Sequence, residues 1–349
     1  MTLTNFPIRA CALLGLVALC GLGHAQVVPG VGNAPKPTPE AERPKLDKPL
    51  APLVERLGFP ADARVVILNV DDFGMNHGAN EGTILALKAG GMTSATIMVP
   101  CPWFPEAAAF ARETPQANLG IHLALTSEWK HYKWGPVLGR VGAPSLCDSQ
   151  GYLYADVPMV YLSAKAEEVD AEVRAQIQKA LDAGVDVTHI DSHMGTLQYA
   201  PGYHEMYIRI AKDFNLPCRI AGREIMGQYG GAYLIDMADA LGVVHPDFLF
   251  QGDAGGNIED TERFWKEDRL GKLQPGMVSE IFIHAGRETD EMKATTGSWK
   301  RRSADADFFA KPETIQWIKD QGIQMISYRD LRELQRNGKP MPRVAKYGW

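Results

Sequence analysis

The sequence predicts an α/β protein, a distorted (β/α) barrel with seven or eight parallel strands, preceded by a Pro-rich linker. From about residue 53, short runs rich in Val, Ile and Leu alternate with longer helix-like segments, as they do in a sheet built from successive βα units. The first run, 65–70, is apolar at every position but Asn69, which suits a strand covered on both faces. No shift in composition divides residues 53–349, so one barrel is favoured over two domains.

The elements follow in order. After the strand at 65–70 come Asp71, Asp72 and a glycine turn, then a helix over 80–89 that ends at Gly90-Gly91. A second strand over 94–99 leads to an Ala-rich helix over 103–113 with Pro105 in its first turn. The third strand, 119–125, carries His122 near its end. Residues 127–162 show no clear helical period, and an insertion of that length in a compact fold is commonly a lid or binding loop. Trp129, His131, Tyr132 and Trp134 cluster within it, either to stack on a sugar face or to pin the loop.

The clearest helix covers 166–183, where Val169, Val173, Ile177, Ala180 and Leu181 recur at helical spacing. A fourth strand over 186–190 follows, with Asp191, Ser192 and His193 just past it. Beyond lie a helix near 203–214, a short strand at 218–220, strand candidates at 248–250 and 279–284, and a last unit of helix 312–321, strand 324–327 and helix 329–337.

The N-terminus reads differently. Residues 1–25 place Arg9 before an apolar run and end at Gly23-His24-Ala25, the pattern of a cleaved secretory signal, so export to the periplasm or medium is expected. The alternatives are an uncleaved anchor, for which the run is short, and lipid attachment at Cys20. Residues 26–52 carry seven prolines and read as an extended tether. Cleavage removes one of the 36 basic residues and none of the 42 acidic ones, moving the net charge from −6 to −7. That balance offers no general attraction for nucleic acid or anionic membrane, and no membrane insertion is expected after cleavage. Cys101, Cys147 and Cys218 remain, enough for one disulfide but not a disulfide framework. Oligomeric state is not legible.

Strand ends carry the chemistry. Asp71 and Asp72 follow the first strand, His122 lies at the third, His193 after the fourth and His284 at about the seventh, so a barrel would bring them to one mouth. Two imidazoles and a carboxylate with an open position can hold a divalent metal and activate water, and the same trio suits several ions.

The residues also resemble a known group. Asn69-Val-Asp-Asp-Phe-Gly74, Thr93-Ser94, Gly120-Ile-His-Leu123, Thr188-His-Ile-Asp-Ser-His193, Pro275-Gly276 with Glu280, and Ile283-His-Ala-Gly286 together resemble the YdjC-like carbohydrate deacetylases, which include chitooligosaccharide deacetylase and hopanoid-associated relatives. The resemblance implies a distorted (β/α) barrel that uses magnesium or zinc to hydrolyse an N-acetyl group from an amino sugar. Carried over by motif, it implies Asp72, His122 and His193 as metal ligands and Asp71 as general base. The chain departs from the pattern at Met194-Gly195-Thr196, where relatives continue with histidines, at His284-Ala285-Gly286, where they often read His-Pro-Gly, and at Asn76, where serine is frequent. These departures leave the sugar open.

In the mechanism these residues suggest, Asp71 takes a proton from water and His284 returns one to the departing amine. Asp191 is a candidate to orient a ligand imidazole or to cap. Arg287 is a candidate substrate clamp or a surface partner of Glu288 or Asp290, and Trp129 and Trp134 are candidate sugar contacts. The rival functions are an exported carbohydrate-binding barrel without turnover and a metal-dependent esterase or amidase acting on a non-sugar substrate.

Overall fold

The computed structural model describes residues 32–251 and 260–338; the expected signal peptide, residues 1–25, lies outside them. Strand β1 (Arg64–Phe73) shows how this sequence builds both a core and a site. Side chains alternate across a strand. Val66, Leu68 and Val70 point to the large core under the helices, whereas Val65 and Ile67 join a separate cluster at the barrel's lower end. The residues next in line on that inner face are Asn69 and Asp71, so the inward row changes from apolar to polar along the strand.

The strand runs longer than expected because the backbone ladder does not depend on side-chain polarity. Asp71 and Asp72 lie within it, not after it. The pairing of β1 with β2 (Ser94–Ile97) slips between Val70 and Phe73, and Asp72 adopts a left-handed backbone with φ 65°. An extra residue at a bulge breaks the strict alternation, which lets two consecutive acids serve the same interior.

The other strands are β3 (Leu119–Leu123), β4 (Val187–Ser192), β5 (Phe248–Gln251), β6 (Met277–His284) and β7 (Gln324–Ile326). All pair in parallel, in the order β4-β3-β2-β1-β6-β5, and β7 pairs with the lower part of β1. The curve continues past β4 through irregular backbone: Arg219 N donates to Ile190 O at 3.1 Å, and Cys218 N donates to Val244 O at 3.2 Å. The expected short strand at 218–220 is therefore a single bridge, Ile190 to Cys218. The result is the distorted parallel barrel that the sequence predicts.

Helices cover the outside: α1 (His77–Ala89), α2 (Phe104–Glu113), α3 (Ala166–Asp182), α4 (Pro201–Asp213), α5 (Ala232–Leu241), α6 (Trp299–Ala310), α7 (Pro312–Asp320) and α8 (Tyr328–Asn337). Helix α6 was not anticipated, because its buried face includes Arg301, Arg302 and Asp305 and so lacks an apolar period. Helix α8 starts with a capping box between Ser327 and Asp330 and closes the lower end together with Leu53, Val54 and Leu57.

Asp186 ties α8 to β4 by accepting from Arg329 Nη1 at 2.6 Å and from Arg332. Burial works against its charge, but the two guanidiniums prevail and hold its pKa below the ordinary carboxylate value. A depressed pKa contributes stability above the unfolded value, and that contribution is lost as pH falls through the folded one. Asp186→Asn is accordingly expected to lower Tm slightly at pH 7, since the pair is half exposed, and thermal melts should show the difference closing below about pH 4.

The loop 127–162 is more ordered than its sequence suggests. It contains short helices at Gly139–Gly142 and Val157–Ser163, and Glu172 of α3 accepts from Val137 N at 2.8 Å and from Leu138 N at 3.0 Å. The stretch read as a tether is seated on the barrel over at least part of its length. Thr38 N donates to the Glu205 carboxylate of α4 at 2.9 and 3.0 Å, and Arg43 lies 3.7 Å over the Tyr233 ring. The sequence leaves open whether two of the three cysteines pair; Cys101, Cys147 and Cys218 are buried free thiols, each with a pKa raised by burial. Among the described residues no helix is long and apolar enough to cross a membrane.

Candidate metal centre

Three strand ends bring Asp72, His122 and His193 together at the barrel mouth, all nearly inaccessible to solvent. Asp72 Oδ1 lies 3.5 Å from His122 Nε2 and 3.4 Å from His193 Nδ1. It is buried and receives no well-formed hydrogen bond among the described residues. An orphaned anionic oxygen facing two ring nitrogens is a costly arrangement unless something positive joins it.

The far side of each ring explains which nitrogen is presented. His122 Nδ1 lies 2.6 Å from Asp191 Oδ1, and His193 Nε2 lies 3.0 Å from Glu128 Oε2. With an ion bound, each carboxylate would take the ring N–H and leave the nitrogen that faces Asp72 free to ligate, the arrangement by which outer carboxylates orient metal-bound histidines. The three donors all lie within 4.8 Å of one another. This donor set fits a divalent ion, and local charge agrees. Among the described residues, Asp71, Asp191 and Glu280 share the guanidinium of Arg219, Asp72 pairs with that of Arg302, and Glu128 pairs with His193, so carboxylates outnumber guanidiniums. Burial opposes a charged His193, yet Glu128 and Asp72 push its pKa up to about 10, so an ion must displace a proton there.

Asp191 was expected to orient an imidazole or to cap; it lies inside β4 and pairs in register with His122, so the ring it holds is His122. Its other oxygen accepts from Thr96 Oγ1 at 2.9 Å and lies 2.9 Å from Arg219 Nη1.

Asp71 faces a different partner. Arg219 donates to both its oxygens, Nη2 to Oδ1 at 2.7 Å and Nη1 to Oδ2 at 2.8 Å, and Asn69 Nδ2 also donates to Oδ1 at 2.9 Å. Burial would lift the Asp71 pKa, but Arg219, helped by His122 and His284, holds it well below the usual carboxylate range. Arg219 reaches Glu280 as well, with Nε 2.8 Å and Nη2 2.6 Å from Oε1. Burial raises the Glu280 pKa against the pull of Arg219 and of the Tyr328 hydroxyl, which donates to it. Tyr328 stacks on His189 at 3.7 Å, and Gly120 makes room for that ring, since a Cβ there would lie 2.5 Å from it. These residues form the floor beneath the trio.

His284 ends β6 directly beside Asp71 in the sheet register and is partly exposed at the mouth. Its charge contributes to the depressed pKa values of both Asp71 and Asp72. Trp134 is buried against Trp129, Tyr132 and, at 6.3 Å, His193, so it pins the loop, while Trp129 is only half buried. Arg287 pairs with Asp307 on the surface, and among the described residues it forms no ion pair with Glu288 or Asp290.

Sequence reasoning missed four residues. Arg219 left a signal, a lone cation in the apolar stretch 216–220. Glu128 lies in the loop, Arg302 on the unanticipated α6, and Tyr328 just past β7; nothing local marks them. Arg302 Nη2 donates to Asp72 Oδ2 at 2.8 Å and, outweighing burial, keeps that carboxylate well below its ordinary pKa.

Fold and site together define a class: parallel α/β barrels with an Asp-His-His trio sunk in the mouth. Residues 65–320 match the family described as YdjC-like protein, and the chain belongs to that family. Among its relatives, the carbohydrate deacetylase of Brevibacillus brevis is 30% identical over 76% of this chain and 99% of its own length. That of Thermus thermophilus is 30% identical over 80% of this chain and 98% of its own. A crystal structure from Enterococcus faecalis, provisionally described as a cellobiose-phosphate cleavage protein, superposes with a TM-score of 0.64 at 26% identity, covering 77% of this chain and 99% of that one.

Proposed function

We propose that this protein is a metal-dependent hydrolase that removes the acetyl group from an N-acetylated amino sugar or oligosaccharide. The observation that carries this reading is the trio itself, with each imidazole anchored by a carboxylate on its far nitrogen and an Arg-held acid beside it. The relatives named carbohydrate deacetylase support the substrate class, as does half-buried Trp129 beside the site.

Asp72, His122 and His193 would hold the ion, magnesium or zinc, which when bound polarises an acyl carbonyl and acidifies water. Arg219 keeps Asp71 ionised and fixes its plane. Oδ1 of Asp71 already has two close donors and Oδ2 one, so Oδ2 is the atom left to accept the proton of the attacking water. His284, on the adjacent strand end, gives a proton to the departing amine, which is otherwise too poor a leaving group.

Acetate release from a panel of N-acetylated sugars, run with and without a chelator, tests this directly. Release is expected from at least one sugar, with loss on chelation and recovery on adding back a divalent ion. Turnover of simple acetate esters alone would replace the reading with an esterase, and sugar binding without acetate release would replace it with a binding protein.

A further inference from the structure

Arg302 contacts the trio and has no part in the steps above. Its place is firmly set. Helix α6 carries an internal Arg301–Asp305 ion pair and is tied to the preceding segment by Trp265 Nε1, which donates to Asp305 at 2.7 Å. The backbone oxygen of Arg302 accepts from Gly286 N at 3.1 Å, and a Cβ on Gly286 would lie 3.2 Å from that of Arg302, so the bare glycine gives the side chain its path. At the far end, Nε donates to Ser298 Oγ at 3.1 Å and Nη2 to Asp72 Oδ2 at 2.8 Å. Nη1 is buried with no partner among the described residues. Arg219 divides its charge among three carboxylates, whereas Arg302 pairs with one carboxylate among the described residues, Asp72, and otherwise lies 5.8 Å over the Trp129 ring.

The two oxygens of Asp72 are therefore unequal. Oδ2 is bound to a guanidinium, and Oδ1 faces the imidazoles. Zinc and magnesium accept single oxygens from carboxylates in compact shells, while calcium takes six to eight oxygens and commonly both from one carboxylate. To offer both, Asp72 would have to share Oδ2 between the ion and the guanidinium or give up a buried charge-assisted bond, leaving Arg302 with the Ser298 hydroxyl and no carboxylate among the described residues, which is unfavourable.

We propose that Arg302 is the specificity-determining residue of the metal centre: by holding Asp72 Oδ2 it makes Asp72 a one-oxygen ligand and favours small divalent ions over calcium. This rests on the reading that Asp72, His122 and His193 hold an ion.

The test uses the metals alone. Wild-type protein, Arg302→Met and Arg302→Lys are loaded with Co²⁺, the visible absorption is recorded, and Ca²⁺ is titrated in as competitor. Both ions are divalent, so the lost charge cancels in their ratio. In Arg302→Met the Co²⁺ band is expected to weaken as Asp72 gains a second metal contact, and Ca²⁺ should displace Co²⁺ at concentrations roughly tenfold lower than in the wild type. Arg302→Lys, which keeps the charge without the planar fork, should shift the ratio in the same direction by less, and it carries the test if thermal melts show that the Met variant does not fold. An unchanged spectrum and an unchanged Ca²⁺/Co²⁺ ratio in the folded variants would overturn the Arg302 inference alone. A wild-type protein that binds no Co²⁺ would overturn the metal reading and this inference with it.

Discussion

Asp72→Ala is expected to abolish ion binding and acetate release together, the largest change any single substitution at the mouth should produce. Three effects coincide there. The trio loses its only carboxylate, leaving two imidazoles that hold a divalent ion poorly. Arg302 loses its only carboxylate among the described residues and becomes an uncompensated buried charge, which costs about 3–5 kcal/mol of stability. The left-handed backbone at this position, φ 65°, is also one that Asp and Asn tolerate better than Ala. Asp72→Asn separates these effects, because the amide oxygen can still accept from Arg302 and suits the same backbone. It should melt closer to the wild type while binding the ion far more weakly in equilibrium dialysis.

Asp71→Asn should do the opposite. Asp71 is not in the trio, and its loss leaves Arg219 still paired with Asp191 and Glu280, so ion binding and folding should persist. An amide cannot take a proton from water, and kcat should fall on the order of 10²- to 10⁴-fold, the usual worth of a positioned base. A variant that binds the ion normally and still releases acetate at the wild-type rate would remove Asp71 from its role. Measuring both variants for ion content and turnover distinguishes an acid that holds the ion from one that moves a proton.

The contrast between these neighbours marks how far the sequence could be read. Asp71, Asp72, His122 and His193 are legible because each sits at the end of an apolar run, and a barrel sends all such ends to one face. Their division of labour is less so, since it depends on a bulge and a left-handed residue that no local signal announces. Arg219 and Arg302 are chosen by proximity across the barrel, with 148 and 230 residues separating them from the acids they hold. Helix α6 escaped notice for the same reason that it matters. Its inward face carries charge where a helix ordinarily carries Leu or Ile.

The floor of the site has a consequence for how the protein is made. Val65 to Ile67 of β1 pair with Gln324 to Ile326 of β7, and Tyr328, just beyond, supplies the hydroxyl that meets Glu280 beneath Arg219. The first and last strands of the barrel are thus mutual supports, and a growing chain can lay down β1 to β6 yet lacks the piece that seats Arg219 until translation is nearly finished. Contacts of such sequence separation form late and slowly. Activity should therefore arise as one of the final events of folding, and a chain cut before residue 324 should carry every ligand of the trio and still not assemble a working centre.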